Sequence, residues 1–306
     1  MKWRILDAMK TIIHAQNLAR HFGSVHAVKD VSFSVPEGRC VGLLGPNGAG
    51  KTTTMRMIMG LTAPTKGDLK VFAEDATRMG RHTRAKVGLV PQEDNLDPDL
   101  SVSENLHIYG RYFGLSKEYL NHRVPELLGF MRLSDKTNAR VMMLSGGMKR
   151  RLIIARALIA DPDLVILDEP TTGLDPQARL LIWQQLTALK KQGKTLLLTT
   201  HYMDEAQRLC DDIVIVDDGK VLDEGTPSDL IARHVPPHVF ELQKPVDAKV
   251  IKQNTTFEDL GDSMIFFTEK PQTVTKALKT NTPYLHRPAN LEDVFLTLTG
   301  RSLREK

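Results

Sequence analysis

The string GPNGAGKT, Gly45 to Thr52, constrains this chain more than any other feature. It follows CVGLLG at 40–45, an unbroken apolar run that ends in glycine. Such a run reads as a strand buried on both faces, at home in a parallel sheet covered by helices. A helix is expected next, from about Lys51 to Met59, closed by Gly60. The spacing G-x-x-x-x-G-K-T has a physical reason. Glycines let the backbone of Gly45, Pro46, Asn47, Gly48, Ala49 and Gly50 curl its N–H groups around phosphate oxygens. The helix opening at Lys51, Thr52 and Thr53 points its positive end at the same oxygens. Lys51 is placed to reach the β and γ phosphates of ATP, and the Thr52 hydroxyl to ligate Mg²⁺.

A second apolar segment, LVILDEP from Leu164, delivers two adjacent carboxylates at its carboxyl end, where ligands of open α/β sheets bind. Asp168 is suited to hold Mg²⁺, directly or through water, and Glu169 to orient or deprotonate the water that attacks the γ-phosphate.

Strand-like pattern also covers Thr11 to Val35, broken by a turn at FGSV, and returns at TLLLTTH (195–201) and DIVIVDDGK (212–220). The helical pattern QARLLIWQQLTALKKQG lies between LVILDEP and TLLLTTH, and residues 99–160 are mostly helical. Alternation of this kind predicts an α/β fold: a P-loop core with a mainly parallel sheet and a helical subdomain insert at about 93–160. Pro236 and Pro237 break the pattern. Residues 1–10 then read as a tail, 11–235 as the nucleotide-binding domain and 236–306 as a small α+β accessory domain. Its last helix puts Leu291, Val294, Phe295 and Leu298 on one face, starting at Asn290 and stopping at Gly300.

Composition narrows the classes. Charged residues at 25% and hydrophobics at 41% fit a globular domain, and no apolar run approaches the roughly 20 residues of a membrane-spanning helix. Action at a membrane therefore calls for a partner. A net charge of +4 suits an anionic ligand or surface but is too weak to imply nucleic acid. Cys40 and Cys210 lack metal-ligand spacing and read as buried free thiols suited to a reducing cytosol.

The phosphate loop, LSGG, ILDEP, GLDP and LLTTH stand in the order found in ATP-binding-cassette (ABC) ATPase subunits, and the chain resembles that family over roughly 11–230. The resemblance implies four further roles. Gln92 in LVPQED touches Mg²⁺ and senses nucleotide, and His201 contacts the γ-phosphate. Asp175 reaches across a dimer interface, and Phe22 in RHFG stacks on adenine. VPQEDNLDPDLSVSENLHIYGRYFGLS, LSGGMKRRL and the terminal RPANLEDVFLTLTGR narrow the likeness to the NodI group. Its members are ATP-binding subunits of bacterial exporters of lipo-chitooligosaccharide signals. Drug and polysaccharide exporters have similar subunits, so the cargo stays open, as does the tail's role in regulation, dimerisation or stability.

LSGGM, from Leu144, departs from the family's LSGGQ at Met148. Ser145, Gly146 and Gly147 still open a helix, giving a hydroxyl, flexible N–H groups and a positive helix end: a second anion site. Met148 falls in line with Leu152, Ala155 and Ile159, a packing position. In the family, each signature covers ATP held by the other subunit. One cassette per chain then implies an isologous homodimer sandwiching two ATP molecules. The resemblance further implies an integral-membrane permease as partner and a place on the cytoplasmic face of the bacterial inner membrane. The aromatics of YGRYFG (109–114) are either a docking face for that permease or the insert's own core. A soluble ABC ATPase of translation or repair is the competing class, but such proteins carry two cassettes or long coiled coils. A non-hydrolysing ATP-binding regulator would be expected to lack Glu169.

Overall fold

A computed structural model describes residues 10–244, 251, 255–278 and 282–300; the expected tail at 1–10 lies outside them except for Lys10. The chain divides into two compact units, residues 1–224 and 225–306. That division falls eleven residues before the 235/236 boundary expected from the Pro-Pro break, because a helix capped by Thr226 opens the second unit.

The first unit is built on a ten-stranded sheet. Its strands are β1 (Thr11–Phe22), β2 (Val25–Pro36), β3 (Cys40–Leu44), β4 (Lys66–Val71), β5 (Glu74–Asp75), β6 (Val87–Val90), β7 (Leu164–Asp168), β8 (Thr195–Thr200), β9 (Asp212–Asp217) and β10 (Lys220–Gly225). The order across the sheet is β5-β4-β1-β2-β10-β9-β3-β8-β7-β6. β6, β7, β8, β3 and β9 run parallel, whereas β2, β1, β4 and β5 form an antiparallel wing. Every side chain of β3 and of β8 is buried, as the unbroken apolar runs require. β4 and β6 lie where the sequence pattern suggested no strand. β4 buries only Leu69 and Val71, and β6 is four residues long, so neither carries an apolar run. DIVIVDDGK is a strand, a turn at Asp218 and Gly219, and the start of the next strand.

Helix α1 (Lys51–Ile58) follows the phosphate loop, and the short α2 (Arg81–Ala85) precedes β6. The insert is helical as expected: α3 (Val102–Tyr112), α4 (Lys117–Phe130) and α5 (Gly146–Ala157). Serine caps each of them, at Ser101, Ser116 and Ser145, and Glu104 closes a capping box on the first. Tyr109 and Phe113 pair at 5.4 Å, and the Arg156 guanidinium lies 4.8 Å from the Tyr109 ring, so these two belong to the insert's own packing. Tyr112 points away, 78% exposed, with Ile108 also exposed. Helices α6 (Pro176–Lys191) and α7 (Met203–Leu209) follow β7 and β8. Cys40 and Cys210 are buried free thiols.

Among the described residues the second unit contains α8 (Pro227–His234), a four-stranded antiparallel sheet and further helices. The strands are β11 (His238–Gln243), β12 (Thr256–Asp259), β13 (Ser263–Thr268) and β14 (Tyr284–Pro288), in the order β12-β13-β11-β14. Helices α9 (Pro271–Thr275) and α10 (Leu291–Thr299) follow β13 and β14, and α10 packs against α8. Asn290 and Asp293 form a capping box on α10, and Gly300 ends it at φ 66°. Its buried apolar face is Leu291, Val294, Phe295 and Leu296, with Leu298 only partly covered. Arg287 fixes this corner, donating to both Asp293 oxygens (2.7 and 2.8 Å) and to Glu241 (2.7 Å).

Candidate nucleotide site

Parallel register decides what meets at the sheet edge. Leu44 pairs with Thr200, Asp168 with Thr199, and Val90 with Leu167. The residues just beyond those pairs are Gly45, Glu169, His201 and, two past β6, Gln92. Four motifs spread over 157 positions of sequence therefore end at one edge.

The phosphate loop follows from close backbone packing. A Cβ on Gly45 would sit 2.1 Å from the Val216 carbonyl oxygen, and one on Gly50 would sit 2.5 Å from that of Ala27. Gly50 also takes φ 96°, a left-handed turn that aims the first N–H groups of α1 back into the loop. The Lys51 ammonium is buried and donates to the carbonyls of Gly45 (2.7 Å) and Pro46 (3.0 Å). Burial lowers its pKa, and the charges of Glu169 and Asp168 pull it back up. The lysine and the two acids therefore share one electrostatic neighbourhood. Thr52 lies exposed at the helix start.

The carboxylates are held unequally. Asp168 accepts a hydrogen bond from the Thr199 hydroxyl, but burial still raises its pKa. Glu169 is pushed the other way, chiefly by the neighbouring His201, whose Nδ1 lies 3.4 Å from Oε1. The other oxygen, Oε2, accepts from the Thr172 hydroxyl (3.1 Å) and from Gln92 Nε2 (3.4 Å). A pair of acids with pKa values pushed in opposite directions is a common basis for dividing two chemical roles. The Glu169 backbone is itself strained: φ is 47°, which costs a non-glycine residue on the order of 1–2 kcal/mol. Its N–H donates to the Thr199 carbonyl and hydroxyl oxygens, both at 3.1 Å.

Arg150 holds the same turn from the other side, and the sequence reading missed it. From α5 its guanidinium donates to the carbonyls of Pro170 (2.8 Å), Asp168 (2.8 Å) and Glu169 (3.0 Å). It also donates to Pro91 and, at 3.4 Å, to Gln92 in the loop after β6. Only the doubled arginine of LSGGMKRRL hints at this in sequence. Its neighbour Arg151 turns instead to the carbonyls of Met131 (2.8 Å) and Arg132 (3.0 Å).

Beneath the edge lies Glu205, fully buried, its Oε1 accepting from Thr171 (2.7 Å) and from Trp183 Nε1 (3.0 Å). Burial raises its pKa. The folded chain thus keeps this proton at pH values where the unfolded chain, with a carboxyl near 4.3, has released it. Stability falls as pH rises from there through the folded value. Glu205→Gln removes the penalty, so its melting temperature relative to wild type is expected to rise between about pH 4 and pH 8. Scanning fluorimetry across that range checks it; a flat or falling difference would contradict the assignment.

The remaining expected residues fall in three places. Ser145 caps α5, its hydroxyl accepting from Met148 N–H (3.3 Å), with Gly146 exposed and Gly147 closely packed: a Cβ there would sit 2.7 Å from that of Ala178. Met148 itself is half-buried. Asp175 is exposed and caps α6, accepting from Ala178 N–H (2.9 Å). Phe22 ends β1, 46% exposed, with the Arg20 guanidinium 4.5 Å from its ring centre. One face of the ring is therefore already covered.

A phosphate loop, a carboxylate pair, a glutamine and a histidine at one sheet edge, beside a helical insert, define a P-loop cassette. Residues 28–172 match the ABC transporter family model, and residues 245–300 match that of the C-terminal domain of the nodulation factor export protein NodI. A Nod factor export ATP-binding protein I from Cupriavidus metallidurans is 49% identical over 303 residues, spanning 97% of this chain and 100% of that one. A protein of the same description from Burkholderia lata is 48% identical over 96% of this chain and 98% of its own length. Among solved structures, an ATP-binding subunit of an ABC transporter superposes with TM-score 0.66 at 32% identity, covering 73% of this chain and 93% of that one. A dimeric cassette in a post-hydrolysis state with ADP and phosphate superposes with TM-score 0.63 at 30% identity, over 70% and 98%. The chain belongs to the ABC transporter family, as an ATP-binding subunit that hydrolyses ATP in the service of transport. Among the described residues no helix is long and apolar enough to cross a membrane.

Proposed function

We propose that two copies of this chain close on two ATP molecules and thereby drive an exporter from the cytoplasmic face of the bacterial inner membrane. An integral-membrane permease is the partner, and a lipo-oligosaccharide is the cargo. One observation carries the reading: the register that brings Gly45, Gln92, Asp168, Glu169 and His201 to a single edge. Glu169 acts on the attacking water, His201 on the γ-phosphate, and Phe22 offers its uncovered face to adenine. Ser145, Gly146 and Asp175 are exposed, as residues reserved for a second copy's nucleotide must be. The cargo branch is supported by relatives named for Nod factor export and by the match of residues 245–300.

Thr52, Gln92 and Asp168 would hold Mg²⁺. All three offer hard oxygen, and among the described residues no group of three His, Cys, Asp or Glu could bind a metal by itself. That fits an ion carried in largely by phosphate, as Mg²⁺ usually is, where it neutralises charge developing on the transferred group.

The permease contact is assigned to the exposed Ile108 and Tyr112 on the insert. Affinity purification of the tagged chain from solubilised membranes tests the proposal. A multi-spanning membrane protein is expected to co-purify, with Mg²⁺-dependent ATP turnover in the same fraction. Recovery without such a partner would overturn the transport reading.

A further inference from the structure

Arg150 is 8% exposed, yet among the described residues no carboxylate oxygen is its hydrogen-bond partner; it spends its donors on backbone carbonyls of two separate segments. One segment is the left-handed turn at Glu169, with Asp168 before it and Pro170 after. The other is the Pro91–Gln92 loop, whose glutamine amide reaches the Glu169 carboxylate at 3.4 Å. The loop is tied to α5 a second time, where Arg156 donates to the Asn95 carbonyl at 2.8 Å.

We propose that Arg150 is a positioning residue for hydrolysis. It fixes the strained Glu169 backbone and locks it to the Gln92 loop, so that the carboxylate and its glutamine partner are presented as one unit by the signature helix. This rests on Glu169 being the group that acts on water. The geometry explains why the residue is arginine. A planar guanidinium spreads five N–H donors over a fixed fork and spans both segments, whereas a lysine ammonium is a point charge with three donors at one place. The placement also makes the helix that carries the anion-binding Ser145 the mechanical support of the other catalytic segment. Movement of the insert then changes how Glu169 is presented.

The test is steady-state Mg²⁺-ATP kinetics on the full-length chain for Arg150→Ala, Arg150→Lys and Arg150→Gln, alone and combined with Glu169→Gln. Binding of a fluorescent ATP analogue is measured in parallel. A misplacement near 1 Å of a reacting group costs about 100-fold, and kcat is expected to fall by roughly that factor in Arg150→Ala and Arg150→Lys. KM and analogue affinity are expected to stay within about threefold, because the phosphate loop does not depend on Arg150. In the Glu169→Gln background the same changes are expected to cost nothing further, since the residue acts through that carboxylate. Arg150→Gln, the mildest change, carries the same split should alanine prevent folding. Wild-type kcat in these variants, affinity falling in step with kcat, or an undiminished further loss beside Glu169→Gln would each overturn the proposal. Near-normal turnover by Glu169→Gln alone would instead overturn the reading on which it rests.

Discussion

Glu169→Gln is expected to lower ATP turnover by two to four orders of magnitude, the usual contribution of a positioned general base, while ATP binding persists. The side chain accepts from Thr172 and Gln92 at one oxygen and lies 3.4 Å from His201 Nδ1 at the other. The amide oxygen of glutamine can still accept from Thr172, so local packing survives. What disappears is the charge that His201 holds in its ionised form, and with it the acceptor for a proton from water. ATP then remains whole. If ATP closes two chains together and its cleavage opens them, the variant accumulates as a closed pair. Size-exclusion chromatography with ATP is expected to show a dimer that reverts to monomer when nucleotide is removed. A protein that binds ATP yet elutes only as monomer would exclude the sandwich, whatever its turnover.

The phosphate loop and the β7 carboxylates were legible because each combines a buried strand with a polar end, and period and composition reveal both. The insert is legible through its helical period. β4 and β6 were not, because an edge-side strand with two buried residues and a four-residue strand leave too little pattern. Strict spacing places Leu298 on the core face of the terminal helix. That helix is instead buried over a face that takes in Leu296, a matter of what packs against it rather than of period. YGRYFG split for the same reason: Arg156 recruits Tyr109 inward and leaves Tyr112 outside.

Arg150 shows a deeper limit. Its partners are carbonyl oxygens, which every residue possesses, so no sequence pattern marks them. The left-handed backbone at Glu169 is equally silent, because glutamate carries no preference for it. Sequence therefore brings out the groups proposed to do chemistry and gives no sign of the arginine proposed to set their geometry.

The signature segment leads to the second large effect. Ser145→Arg is expected to reduce turnover at least 100-fold, comparable with losing a set of oxyanion donors, while the ATP affinity of the isolated chain changes less than about threefold. Among the described residues the one hydrogen bond of the Ser145 side chain caps α5 through Met148, and replacing that cap costs about 1 kcal/mol. Stability should drop by a few degrees at most, far too little to explain lost activity. The larger consequence lies outside the chain. An exposed helix end with Gly146 beside it offers N–H groups to an anion, and a long arginine side chain fills the space that anion needs. The decisive measurement combines the change with Glu169→Gln. If the signature of one copy covers ATP on the other, the double variant binds ATP but no longer dimerises, because the trapped nucleotide has lost its lid. Persistence of the ATP-dependent dimer, or an equal fall in the monomer's own ATP affinity, would place Ser145 elsewhere. The methionine at 148 makes no such demand: it is half-buried along the helix and contributes to the anion site only its backbone N–H, already spent on the Ser145 cap. A glutamine there is therefore expected to leave the dimer's dependence on Ser145 unchanged.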